Sequence, residues 1–215
     1  MLILKKQNMN FDIQAQVWDK DPKKIERAKV VAREIINFIQ PNQKLSAFEF
    51  GCGTGLLSFE LKDSFDRITL ADNSEEMIKV LKEKIQVAGI KNFDPLLIDL
   101  LEEDINLPMQ DVVYTLMALH HMPDIKKTLK TFNSIIKQNG YLCIADLVKE
   151  DGSYHTHESD FNEQNGFDRK ELTAILLNSD FNVMFYNVCY VIEKVVSNEV
   201  KKYPLFLMIC KKASN

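Results

Sequence analysis

The chain contains no apolar run approaching the roughly 20 residues needed to cross a bilayer as a helix, so no membrane partner is expected. Its opening Met1-Leu2-Ile3-Leu4 is too short for a secretion signal and is followed, not preceded, by lysines. The four cysteines, Cys52, Cys143, Cys189 and Cys210, form no CxxC pair and lie mostly in expected strands. They read as buried free thiols in a reducing cytoplasm. An excess of positive charge is also missing. A formal net charge of -4 argues against a broad nucleic-acid surface and leaves a small molecule as the natural partner. Internal repeats and low-complexity tracts are absent. What remains is an ordinary globular composition, 46% apolar and 27% charged over 215 residues, which fits one domain, 1–215, with a sizeable core.

The most informative stretch is Phe48-Glu49-Phe50-Gly51-Cys52-Gly53-Thr54-Gly55. It ends an apolar run (Leu45, Ala47, Phe48, Phe50) and opens an amphipathic one (Leu56, Leu57, Phe59, Leu61), the pattern of strand, glycine turn and helix. Alternate glycines allow close backbone approach to a ligand. The following helix aims free N–H groups and the positive end of its dipole at the same place. The dinucleotide fingerprint requires its third glycine where Leu56 stands, and the phosphate loop requires a Gly-Lys-Ser/Thr that the chain lacks.

Around this turn, strand and helix patterns alternate. Asp21-Pro22 starts a helix whose face carries Ile25, Ala28, Val31, Ala32, Ile35 and Ile39, closed by Pro41. This entry segment, 1–44, is expected to cap the sheet, with a lid over the ligand as the alternative. Strands are expected at Leu45–Phe50, Arg67–Ala71 ending on Asp72, Pro95–Ile98 ending on Asp99, Val112–Leu116 and Tyr141–Leu147. The helix after the glycine turn runs to about Ser64. Ser74 caps the next, and Gly89 stops it. Pro123 and Asp124 start another, ending before Gly140, and Asp168 with Glu171 forms a capping box for a last one. The apolar runs Asn182–Ile192 and Leu205–Cys210 close the chain. The polar stretch 148–167 is long for a loop, which marks it as substrate-side. Such alternation implies a mostly parallel sheet with helices on both faces and a ligand at the carboxyl ends of the strands.

The residues at those ends carry a family resemblance. Glu49, one spacer and three alternating glycines resemble motif I of the class I S-adenosylmethionine (AdoMet) methyltransferases. Ala71-Asp72-Asn73-Ser74-Glu75-Glu76-Met77 resembles motif II. Asp111 to Pro123, with Thr115, Met117, His120 and His121, is similar to motif IV and the loop after it in small-molecule enzymes of the ubiquinone/menaquinone or methyltransferase type 11/12 kind. The resemblance implies an α/β fold, a Rossmann-like three-layer sandwich with a mostly parallel seven-stranded sheet and an antiparallel C-terminal strand. It also implies AdoMet as cofactor and S-adenosylhomocysteine as product. Glu49, Gly51, Cys52, Gly53 and Gly55 would hold the methionine part, Asp72 and Asn73 the ribose, and Met77, Asp99 and Leu100 the adenine. Thr115 and Met117 would line the methionine arm. An Asn/Asp-Pro-Pro-Tyr/Phe run and a Pro-Cys pair are both missing, which disfavours amino groups of DNA bases and cytosine C5 as acceptors.

His120 and His121 stand where a general base near the methyl group would be; either one could instead only order its loop. His155 and His157, with Tyr154, fall in the long loop and are assigned to acceptor recognition. Their His-x-His spacing supplies two ligands where metal sites draw on three or four, so no metal is expected. The expected activity is methyl transfer from AdoMet to a small molecule by in-line displacement. A non-catalytic AdoMet-binding regulator, or an NAD-dependent oxidoreductase, is the alternative.

Overall fold

The computed structural model describes residues 11–99, 107–155 and 164–213. Its sheet has seven strands: β1 (Ser46–Phe50), β2 (Arg67–Asp72), β3 (Phe93–Leu97), β4 (Gln110–Leu116), β5 (Ile136–Leu147), β6 (Phe181–Val196) and β7 (Glu199–Lys212). Their spatial order is β3-β2-β1-β4-β5-β7-β6. All neighbours pair in parallel except β7, which is antiparallel to both β5 and β6. Five α-helices accompany it: α1 (Pro22–Ile39), α2 (Leu56–Leu61), α3 (Glu75–Ala88), α4 (Ile125–Ile135) and α5 (Arg169–Leu177).

Side-chain alternation along the strands makes this a three-layer sandwich. Val112 and Tyr114 of β4, with Leu207 and Ile209 of β7, pack on one face against Ala28, Val31 and Ile35 of α1 and Ile78 and Leu81 of α3. Their neighbours Val113, Phe206 and Met208 pack on the other face against Leu129 and Phe132 of α4 and Leu172 and Leu176 of α5. A strand residue and its successor point to opposite faces, and here both faces are covered.

The expected helix signals operate. Asp21, Ser74, Asp124 and Asp168 each accept a backbone N–H from the first turn of α1, α3, α4 and α5. Beyond shifts of one or two residues, as at β3 and β4, three departures from the sequence pattern stand out. Helix α2 stops at Leu61, three residues short of Ser64. Strand β5 begins at Ile136, directly after α4, because Ile136 already pairs with Gln110; the exposed Lys137-Gln138-Asn139 fall in the irregularity between that pair and Val112–Tyr141. The last two strands extend well past their apolar runs. The β5–β7 ladder ends at Leu147 and Leu205, whereas β6 and β7 continue as a hairpin to Val196 and Glu199. Val195 and Val200 on this extension are exposed. Hydrophobic patterning could not mark strands that leave the core.

Ser197 and Asn198 close the hairpin with φ of 51° and 66°. Two successive positive φ values define a type I′ turn, which favours Asn-Gly. Replacing the pair by Ser197→Asn with Asn198→Gly should raise stability by about 1 kcal/mol, the order of the left-handed penalty relieved. Urea unfolding measures this; an unchanged or lowered midpoint would count against the turn type.

Candidate functional site

At the carboxyl ends of β1, β2 and β4 lies a cavity of about 750 Å³. The glycine turn between β1 and α2 forms one wall. Gly51, Gly53 and Gly55 have φ of +64°, +53° and +82°, so the turn is built from left-handed backbone. A Cβ on Gly51 would lie 2.4 Å from the Cβ of Ala118, so only glycine lets the turn meet the loop after β4. The carboxylate of Asp72 fastens the turn from below. It accepts the Gly53 N–H at 2.7 Å on one oxygen and the Ser74 N–H at 2.9 Å on the other. Burial pushes its pKa upward, against the pull of those N–H groups.

Glu49 sits at the base of the cavity, buried, and accepts a hydrogen bond from the Ser58 hydroxyl. Ser58 also pairs with the Tyr114 hydroxyl at 2.7 Å. Burial raises the Glu49 carboxyl to about 8, so it is protonated at neutral pH.

The N-terminal segment closes a side of the cavity. The 3₁₀ turn Ala15–Lys20 precedes α1, and Phe11, Gln14 and Trp18 are among the lining residues. Two aspartates hold the segment down. Asp12 accepts the Ser74 hydroxyl at 2.6 Å; Asp19 accepts the Thr54 hydroxyl and pairs with Lys84. Lys24 lies over the Trp18 ring, 3.1 Å from its centroid, and burial lowers its pKa to about 8. Helix α1 packs on the sheet, and Phe11, Gln14 and Trp18 before it line the cavity.

The histidines meet across the cavity. His120 and His121 occupy a 3₁₀ turn after β4, and His155 ends another at Ser153–His155. Ring centroids of His120 and His121 are 4.1 Å apart, with His155 at 5.2 Å and 5.4 Å from them. His120 Nδ1 lies 2.6 Å from a carboxylate oxygen of Asp146, which is wholly buried in β5. The other oxygen accepts the His120 backbone N–H at 3.1 Å. Burial, and secondarily the neighbouring His120 and His155, depresses the His121 pKa well below the usual imidazole range. The hydroxyls of Ser153 and Tyr203 pair at 2.8 Å, and Tyr154 packs edge-on against both His155 and Tyr203.

Of the residues the sequence pointed to, the cavity brings together Glu49, Gly51, Cys52, Gly53, Asp72, Asn73, Met77, Asp99, Met117, His120, His121, Tyr154 and His155. Leu100 and His157 lie outside the described residues. Thr115 and Gly55 do not face the cavity. Thr115 is buried within β4, and its successors Leu116 and Met117 reach the space instead. A Cβ on Gly55 would meet Leu81 at 2.7 Å, so that position serves the packing of the turn on α3. Sequence reasoning missed Arg27, Asp146 and the β6 stretch Tyr190–Lys194, which also lines the cavity. A signal existed for Asp146, the lone acid in the apolar run Leu142–Leu147; none marked β6.

Comparisons with known proteins find likenesses to methyltransferases. Residues 48–142 match the family described as "Methyltransferase domain". An uncharacterized methyltransferase of Schizosaccharomyces pombe is 30% identical over 127 residues, 56% of this chain and 45% of its own length. The chain thus spans less than half of that relative. An uncharacterized methyltransferase of Oceanobacillus iheyensis is 24% identical over 79% of this chain and 73% of its own. The crystal structure of the YcgJ protein from Bacillus subtilis superposes with a TM-score of 0.71 at 12% identity, covering 86% of this chain and 99% of that one. The [4+2]-cyclase SpnF shares the fold too, at a TM-score of 0.69 and 11% identity, over 87% of this chain and 81% of its own. Residues 48–142 thus resemble a methyltransferase domain, and the chain shares the fold of these solved structures.

Proposed function

We propose that the protein binds AdoMet against Glu49, the glycine turn, Asp72 and Asp99, and transfers its methyl group to a small-molecule acceptor held beside His120, His121, Tyr154 and His155. The observation that carries this is that one cavity is lined by both sets of residues. Its volume of about 750 Å³ falls in the upper part of the range for sites of drug-sized ligands, room for a nucleoside cofactor and a small acceptor together. A small molecule suits the site better than a nucleic acid or membrane, because the covering N-terminal segment and a net charge of -4 favour neither. Among the described residues no helix is long and apolar enough to cross a membrane.

The sulfonium of AdoMet is already a strong electrophile, and its displacement quenches a charge. Catalysis then consists chiefly of holding nucleophile, methyl carbon and sulfur in line with water excluded. Trp18 and Met77 lie where they would shield the cofactor; a methyl-sized group on Gly53 would sit 3.8 Å from each. A proton acceptor is dispensable for that step, so neither His120 nor His121 needs to act as base. Because the same fold houses a [4+2]-cyclase, methyl transfer is decided by product, not by shape. The test is calorimetric titration with AdoMet, S-adenosylhomocysteine and NAD, followed by detection of S-adenosylhomocysteine with candidate acceptors. Preference for NAD would reject the cofactor. Tight AdoMet binding with no turnover of any acceptor would favour the regulatory alternative.

Asp72→Asn keeps the size of the side chain but removes the charge proposed to receive the ribose hydroxyls, and leaves one oxygen to accept from Gly53 or Ser74. Affinity for AdoMet should fall by at least about tenfold, since a hydrogen bond to a charged group is worth about 1.5–3 kcal/mol. Calorimetry on the folded variant measures it.

Glu49 sets a pH dependence. With its carboxyl at about 8 in the empty site, binding a cationic ligand beside it must expel a proton. The dissociation constant for AdoMet should therefore fall as pH rises from 6 to 8, by up to about tenfold per unit, and level off above. The raised value also favours the folded state below the ordinary carboxyl range, an advantage lost as pH climbs through about 8. Glu49→Gln should flatten both profiles; a persistent slope in binding would assign it elsewhere.

A further inference from the structure

Three of the chain's four histidines converge at one point of the cavity. His120 and His121 arrive from the end of β4, and His155 from the loop after β5. One ring nitrogen from each lies within 4.8 Å of the others. His120 Nε2, His121 Nδ1 and His155 Nε2 are all shielded from solvent. We propose that these three imidazoles form a binding site for a divalent transition metal of the zinc class, its fourth coordination position open to the cavity.

The chemistry of the donor set fits. Imidazole nitrogens suit zinc, and three protein ligands with an open fourth position are the arrangement of a reactive site rather than a closed structural one. Asp146 supplies the outer support such a site needs. By accepting from His120 Nδ1 at 2.6 Å, it fixes the tautomer that leaves Nε2 available as a ligand. The carboxylate is itself held by the backbone N–H groups of His120 at 3.1 Å and Leu147 at 2.7 Å. Zinc–nitrogen bonds of about 2.0–2.1 Å in a tetrahedron place ligand atoms roughly 3.3 Å apart. Metal binding would draw the three nitrogens together to that spacing. Counting His155 with His157 along the chain had suggested only two ligands; the fold pairs His155 with the residues after β4 instead.

A metal here would hold an acceptor bearing a hydroxyl or thiol, a role that rests on the methyltransferase reading, whereas metal binding itself does not. Coordination at the fourth position lowers the acceptor's pKa and releases its proton to solvent. The resulting oxyanion or thiolate forms its bond to the methyl carbon as the carbon–sulfonium bond breaks, and the electrons of that bond neutralise the sulfur.

The experiment is titration of the chelator-treated full chain with zinc, in competition with a chromophoric chelator and without AdoMet, and with cobalt as a spectroscopic probe. One equivalent should bind, with the visible absorption of tetrahedral cobalt. His155→Ala, in a loop, should lose at least about 100-fold in affinity, and Asp146→Asn about 10–100-fold, with circular dichroism confirming both folds. Substoichiometric binding by the wild type, or full affinity in folded His155→Ala, overturns the proposal. AdoMet titration of the metal-free protein is read separately, so failure of the metal site and failure of the cofactor assignment are distinguishable.

Discussion

The site depends on one buried carboxylate. Asp72 ends β2 and holds two otherwise unsatisfied backbone donors, one from the glycine turn after β1 and one from the cap of α3. Left-handed glycines are free to adopt many conformations; the Gly53 bond selects one. Burying the charge is costly, as its raised pKa records, and three N–H groups from Gly53, Asn73 and Ser74 offset part of that cost. A carboxylate has about four acceptor positions, so these three N–H groups leave about one to face the cavity. The same group thus shapes the wall and faces the ligand. That double duty explains why the acid has to stand at a strand end, one turn before a capped helix.

The cover over the cavity repeats the device with different partners. Asp12 binds Ser74, itself the cap of α3, and Asp19 binds Thr54 and Lys84. Both aspartates reach the elements that carry the glycine turn and Asp72. Docking of the N-terminal segment is therefore coupled to the geometry of the glycine-turn wall, not merely adjacent to it. Lys24 over Trp18 adds a cation whose charge is weakened by burial, and Phe11 reaches across to stand edge-on to His121 at 5.4 Å. One short segment touches both halves of the cavity.

Much of the glycine-turn half of the cavity was legible in the sequence because each of its residues is local to a pattern. Asp72 and Asp99 each end an apolar strand run, Glu49 stands within one, and the glycines announce the turn. Three-layer packing followed from alternation in the same way. The acceptor half was legible only in pieces. His155 was paired with His157 on spacing, although the fold brings it to His120 and His121 from a strand away. Tyr190–Lys194 reach the cavity only because β7 inserts antiparallel between β5 and β6. That insertion returns β6 to the direction of the central strands and carries its end over the site. Neither juxtaposition is encoded by neighbours in the chain. Thr115 and Gly55 erred in the opposite sense: correct motif positions whose side of the backbone faces the packing.

The histidine cluster calls for a physical reason beyond proton transfer. Methyl transfer from a sulfonium asks little of a base, and one oriented imidazole would suffice where it asks anything. His120, with Asp146 bound at its Nδ1, already is such a group. Two further imidazoles stand around it, their ring nitrogens within 4.8 Å, and for His121 burial first and the neighbouring rings second oppose the cationic form. A base would be weakened by that company. A metal ligand is improved by it, since neutral nitrogen is what a metal requires and a second positive centre is then supplied by the ion itself. The arrangement of the three rings favours holding a cation over moving a proton.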